Sequence, residues 1–114
     1  MTQQLTDPAG AQVATVQAMP VATPSHNAAF YATTSSSQCL AANTARTWAL
    51  FVNISDAFVF LALGAAAVLN TGIPLAPNGG AYQMTMAEGN LYTGDVYAIH
   101  GGSGNKPLCI SEGM

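Results

Sequence analysis

Arg46-Thr-Trp-Ala-Leu-Phe-Val-Asn-Ile54, then Ser55-Asp56, then Ala57-Phe-Val-Phe-Leu-Ala-Leu63 is the stretch that decides the fold class. In the first run Trp48, Leu50, Val52 and Ile54 fall on one side and Thr47, Ala49, Phe51 and Asn53 on the other. A period of two, carried by aromatic and β-branched residues, is the signature of a strand. The second run is apolar at every position and so reads as a strand covered on both faces. A two-residue polar link between such runs predicts a hairpin.

The same pattern extends in both directions. Upstream, polar residues 33–37 pass through Cys39-Leu40 to a turn at Asn43-Thr44. Downstream, Asn70-Thr71-Gly72 is a turn and Ile73-Pro74-Leu75 a short extended piece. Pro77-Asn78-Gly79-Gly80 is a strong turn cluster, because Asn and Gly tolerate positive φ. Residues 81–86 alternate, 87–90 turn, and 94–100 form a strand with Tyr97 and Ile99 on one face. Residues 101–105 are Gly-rich and read as a flexible hairpin connection to a last strand over 106–112, with Leu108 and Ile110 inward. Turns recurring every 8–12 residues or so predict an all-β domain. We expect a small antiparallel β-sandwich, jelly-roll-like, or a barrel, over residues 30–114. Residues 1–29 carry Pro8, Pro20 and Pro24 and no sustained period, so they read as an extended N-terminal arm.

Composition narrows the function. Only 6% of the 114 residues are charged, against about 25% in an average soluble domain. Arg46 and Lys106 are the only basic residues beyond the histidines. Phosphate neutralisation needs a basic stripe, so nucleic acid is not an expected partner, and an anionic membrane is disfavoured for the same reason. Residues 1–10 have neither a basic start nor an apolar run, so no secretory signal is expected. The apolar run 57–69 is too short to span a bilayer.

Candidate chemistry is sparse. His26 and His100 have no metal-ligand spacing, and Cys39 and Cys109 are too few for a zinc site or a disulfide scaffold. Whether Cys39 and Cys109 pair depends on which strands are neighbours. Asp95, His100 and Ser103 lack the strand-to-helix turn of a serine nucleophile, and the glycines at 101, 102 and 104 precede a strand, where a phosphate cradle would precede a helix. Asn53-Ile54-Ser55 matches a glycosylation sequon, read as chance in the absence of a signal. No enzyme activity, cofactor or metal is expected.

The aromatic and apolar residues point to contact instead. A two-layer sandwich buries one face of each strand, so apolar residues on both faces require a neighbour. We expect Leu5, Val13, Val16 and Val21 of the arm, with Phe30, Tyr31, Phe51, Phe58 and Phe60, at an interface. Arg46 is expected to form a structural ion pair with Asp56 or Glu112.

The chain also resembles a family of small tailed-bacteriophage virion proteins. The matching residues are the 46–56 run, Val59-Phe-Leu-Ala-Leu-Gly64, Gly72-Ile-Pro-Leu-Ala-Pro77 with Gly79-Gly80, Tyr92-Thr-Gly-Asp-Val-Tyr-Ala-Ile99, and Leu108-Cys-Ile-Ser-Glu112. The resemblance covers about residues 40–112 and leaves the arm out. It implies a structural component of the virion: a decoration or cement protein on the capsid exterior, made in the host cytoplasm. Its partners would be the major capsid protein and copies of itself. A neck, collar or tail component is the alternative. A carbohydrate-binding sandwich is a further one, with Tyr82, Tyr92 and Tyr97 offering rings for stacking.

Overall fold

The computed structural model describes residues 23–114. The arm positions Leu5, Val13, Val16 and Val21 lie outside the described residues. Nine strands follow in chain order: β1 Pro24–His26, β2 Phe30–Ala32, β3 Ser37–Leu40, β4 Trp48–Asn53, β5 Val59–Leu63, β6 Ile73–Leu75, β7 Gly80–Thr85, β8 Val96–His100 and β9 Lys106–Gly113. They form two antiparallel sheets. One runs β1-β9-β4-β7, with β2 sharing the β9 edge with β1; the other runs β3-β8-β5-β6. The sandwich starts earlier than expected, since Pro24, Ser25 and His26 pair with Gly113, Glu112 and Ser111.

The inner faces interdigitate. Ala49, Phe51 and Met84 from one sheet meet Val59, Leu61, Leu75, Val96 and Ala98 from the other, with Leu108 and Ile110 from β9. Small and large residues alternate along β4, which lets the layers mesh. Full burial of side chains such as Phe51 or Leu61 contributes about 1.5–3 kcal/mol each.

The 53–57 link is not a hairpin. β4 pairs with β7 and β9, whereas β5 pairs with β6 and β8. The connection is an arch that carries the chain from one sheet to the other. The link between β8 and β9 is likewise an arch. A hairpin keeps both strands in one sheet; here buried polar side chains hold the crossing from inside. Asn53 is fully buried at the end of β4. Its Nδ2 donates to the carbonyls of Ala57 (2.7 Å), Leu75 (2.9 Å) and Ala76 (3.2 Å), and its Oδ1 accepts from Ser55 N (2.9 Å) and Ser55 Oγ (2.6 Å). His100, also fully buried, holds the second arch from the end of β8. Its Nε2 donates to Gly104 O at 2.7 Å and its Nδ1 accepts from Gly102 N at 3.0 Å. A neutral ring with the proton on Nε2 satisfies both contacts.

Candidate functional site

The outward row of β4 is Trp48, Leu50 and Val52, each half-buried. Register places Thr85 and Gly113 beside Trp48, Gln83 and Ser111 beside Leu50, and Ala81 and Cys109 beside Val52. His26 lies beyond Ser111, and Tyr31 is paired with Pro107. Trp48 lies over Gly113, where a Cβ would overlap the indole. This outer face holds no ionised carboxylate, ammonium or guanidinium group. Toward its β1–β2 side it dips into a groove of about 370 Å³, lined among others by His26, Tyr31, Ile54, Cys109 and Ser111.

The outer face of the four-stranded sheet is similar in character. Phe60 sits between Ile99 and Pro74, and Ala62 is beside Tyr97. Phe58 and Phe60 stack with ring centroids 6.3 Å apart. They open onto a shallow depression of about 370 Å³ whose rim includes Leu69 and Gly101-Gly102.

The described charges all lie off these faces. Arg46 is 2% exposed and sits inside the end of the sandwich. Its Nε donates to Glu112 Oε1 at 2.9 Å, its Nη1 to the carbonyls of Tyr92 (2.8 Å) and Gly94 (3.3 Å), and its Nη2 to Ala41 O at 2.6 Å. One guanidinium thus ties two loops to β9. Asp56 is not its partner: it pairs with Lys106 at 2.7 Å across the mouth of the β4–β5 arch. That hydrogen bond to the ammonium, and then its charge, hold the Asp56 carboxyl below its ordinary pKa. Asp95 accepts from Gln38 Nε2 (2.7 Å) and Ala42 N (2.8 Å), and Glu88 lies in a turn.

The expected interface residues separate. Tyr31 (52% exposed) and Phe58 (50%) are on the surface, and Phe60 is half-buried on an outer face. Phe30 packs against the core. Phe51 is a correction: it is 0% exposed and belongs to the core. The β4 row that faces inward is the one carrying Asn53, whose arch requires it there, and this turns the bulkier Trp48-Leu50-Val52 row outward. Of the tyrosines considered for sugar stacking, Tyr82 and Tyr92 are partly buried against the core, and a Cβ at Gly64 or Gly94 would overlap the Tyr92 hydroxyl; Tyr97 is half-buried on the outer face of the four-stranded sheet.

Cys39 is buried toward the core and Cys109 is exposed on the opposite sheet, so both are free thiols. Burial pushes the Cys39 thiol up to about 12. Asn53 cannot carry a glycan, since both ends of its amide are engaged inside the protein. No group of three or more His, Cys, Asp or Glu that could hold a metal occurs among the described residues.

The edges of the sheets are occupied or short. The free edge of β7 is covered by one side chain: Asn90 Oδ1 accepts from Thr85 N at 2.9 Å and Asn90 Nδ2 donates to Gln83 O at 3.0 Å. The amide thereby takes the place of a strand. β6 is three residues long and carries Pro74, which has no N–H to offer. β1 is equally short and begins with Pro24. Such features keep a sheet from adding strands. Asn90 escaped the sequence reading, where it registers only as a turn residue after Gly89.

Comparison with protein-family models, curated proteins and solved structures finds no match.

Proposed function

We propose that this protein is a structural subunit that binds an assembled protein lattice and stabilises it, as a decoration or cement protein on a tailed-bacteriophage capsid does. The observation that carries the reading is the pair of outer sheet faces, which hold no carboxylate, ammonium or guanidinium group and present Trp48, Leu50, Val52 and Tyr31 on one side and Phe58, Phe60 and Tyr97 on the other, in a chain whose described charges sit in loops, turns and strand ends. Large exposed apolar patches on a monomer are uncommon and mark contact surfaces. Apolar interfaces of this kind suit lasting association. A protein that binds only the assembled shell favours assembly by mass action. The choice of a tailed-phage capsid as that lattice rests on the resemblance over residues 40–112 alone.

The test is reconstitution. Capsids lacking the protein are mixed with it, sedimented and heated. Co-sedimentation to a saturating ratio set by the shell lattice, with a raised disruption temperature, supports the reading. Saturation at the content of a single ring moves the protein to the neck, and absence of binding overturns the reading.

A further inference from the structure

The groove on the five-stranded face has an occupant that the chain itself provides. We infer that residues 8–22 of one copy lie in the groove of a second copy, linking neighbours through an exchanged N-terminal segment. This deepens the proposed function by naming one of its contacts, and it rests on that function only in requiring copies to meet.

Three observations carry it. The first is chemical. Residues 8–22 contain no charged side chain but include Val13, Val16, Met19 and Val21. The groove walls used here, Tyr31, Ile54, Pro107 and Cys109 with His26 and Ser111, carry no carboxylate, ammonium or guanidinium either. His26 and Ser111 already bond to each other at 2.9 Å, and the rest of the wall is apolar apart from the amide of Asn27. The second is size. A volume of about 370 Å³ takes a few side chains of an extended segment; a globular partner would need a broad flat face. Proline at 8 and 20 suits an extended segment and removes ladder donors.

The third is direction, and it selects a second copy. Thr23 is held to Met114 by two backbone bonds, of 2.7 and 3.1 Å. From there β1 runs from Gly113 toward Ser111, that is, toward the groove. Thr23 therefore stands at the end of the sheet away from the groove. Cys109 is four residues along β9 from Gly113, about 13 Å at strand rise. To fill its own groove the segment would have to reverse direction within its fifteen residues. To fill a neighbour's it continues outward, and fifteen extended residues reach up to about 50 Å. The capped end of β7 and proline-bearing β6 disfavour strand addition at those two edges.

Cys109 offers the test, because it is the exposed thiol of the two and lies in the groove. Val16→Cys is introduced in the full chain, and disulfides form under mild oxidation across a concentration series. Non-reducing gels and peptide mass spectrometry locate the bridges. Glu88→Cys, in an exposed turn, gives the collision baseline. The expected result is dimers and longer ladders joined 16-to-109, well above that baseline and abolished by Cys109→Ser. A bridge within one chain overturns the exchange. So does a 16-to-109 yield no higher than the baseline, or a dimer that survives Cys109→Ser. Reconstitution on capsids is read separately: a chain that binds shells but forms no such bridge loses this inference alone, and one that bridges without binding shells loses only the proposed lattice.

Discussion

Replacing Arg46 with Met removes the one fully buried charged side chain among the described residues while keeping most of its volume. The Arg46 side chain is fully buried and the Glu112 side chain is 14% exposed. The substitution deletes the 2.9 Å ion pair and strips donors from Tyr92 O, Gly94 O and Ala41 O. Removing one partner of a buried pair costs about 3–5 kcal/mol, because the other charge stays buried without compensation. The loop carbonyls sit near the end of the sandwich, where water replaces part of what they lose, so we expect about 4 kcal/mol in all. That is a large share of the 5–15 kcal/mol typical of a folded domain. Urea unfolding followed by Trp48 fluorescence measures it. Arg46→Lys keeps the charge but not the fork, and is expected at about half that cost. The double variant Arg46→Met/Glu112→Leu removes the stranded carboxylate as well. It should be more stable than the sum of its single variants predicts, by about 2 kcal/mol. A cost below about 1 kcal/mol for Arg46→Met, or strict additivity in the cycle, would refute the reasoning and class the pair with surface bridges.

Asn53→Asp places an acceptor where Nδ2 now meets three carbonyls. At neutral pH it should cost about 4 kcal/mol, and the loss should shrink as pH falls and the new carboxyl protonates, which Asn53→Ala would not show in pH-dependent thermal melts. The Cys39 thiol, raised to about 12, favours the folded state below the unfolded pKa near 9, and that contribution fades as pH rises from there through about 12. Unfolding midpoints of the native chain should therefore fall faster than those of Cys39→Ala across that window, and in native protein a thiol reagent should modify Cys109 but not Cys39. Asn90→Ala uncovers Thr85 N–H and Gln83 C=O on the β7 edge; we expect about 1–2 kcal/mol of lost stability and concentration-dependent association seen by light scattering, and an unchanged variant would show that the cap does nothing.

The strands were legible because period two survives without tertiary context. Residues 46–54, 81–86 and 106–112 contain β4 and most of β7 and β9, and Leu108 and Ile110 do face inward. The pairing was not legible. A short polar link such as Ser55-Asp56 suits a hairpin and an arch equally well, and what separates them is the side chain of Asn53, whose partners Leu75 and Ala76 lie more than twenty positions away in the chain. The same applies to the 101–105 loop, where His100 reads as a strand end and acts as the inner post of a crossing. The expectation of Phe51 at an interface failed for a related reason. Size and hydrophobicity favour burying Trp48, Leu50 and Val52, but the row with Asn53 has to point inward to hold the arch, and Phe51 goes with it.

That inversion bears on function. Had β4 turned its bulky row inward, the five-stranded face would have shown Thr47, Ala49, Phe51 and Asn53 to its surroundings. Three buried polar side chains, Arg46, Asn53 and His100, instead secure the loops and crossings of the sandwich from within. With polar groups assigned to the interior and ends, the apolar excess of the sequence falls on the outer faces. The Gln83–Thr85 end of the β7 edge is meanwhile capped by Asn90. A sandwich of this kind can associate broadly through its faces while resisting fibre-like growth through that edge. That combination is what the proposed lattice-bound role calls for: contacts strong enough to persist, made through faces and not by strand addition at that edge.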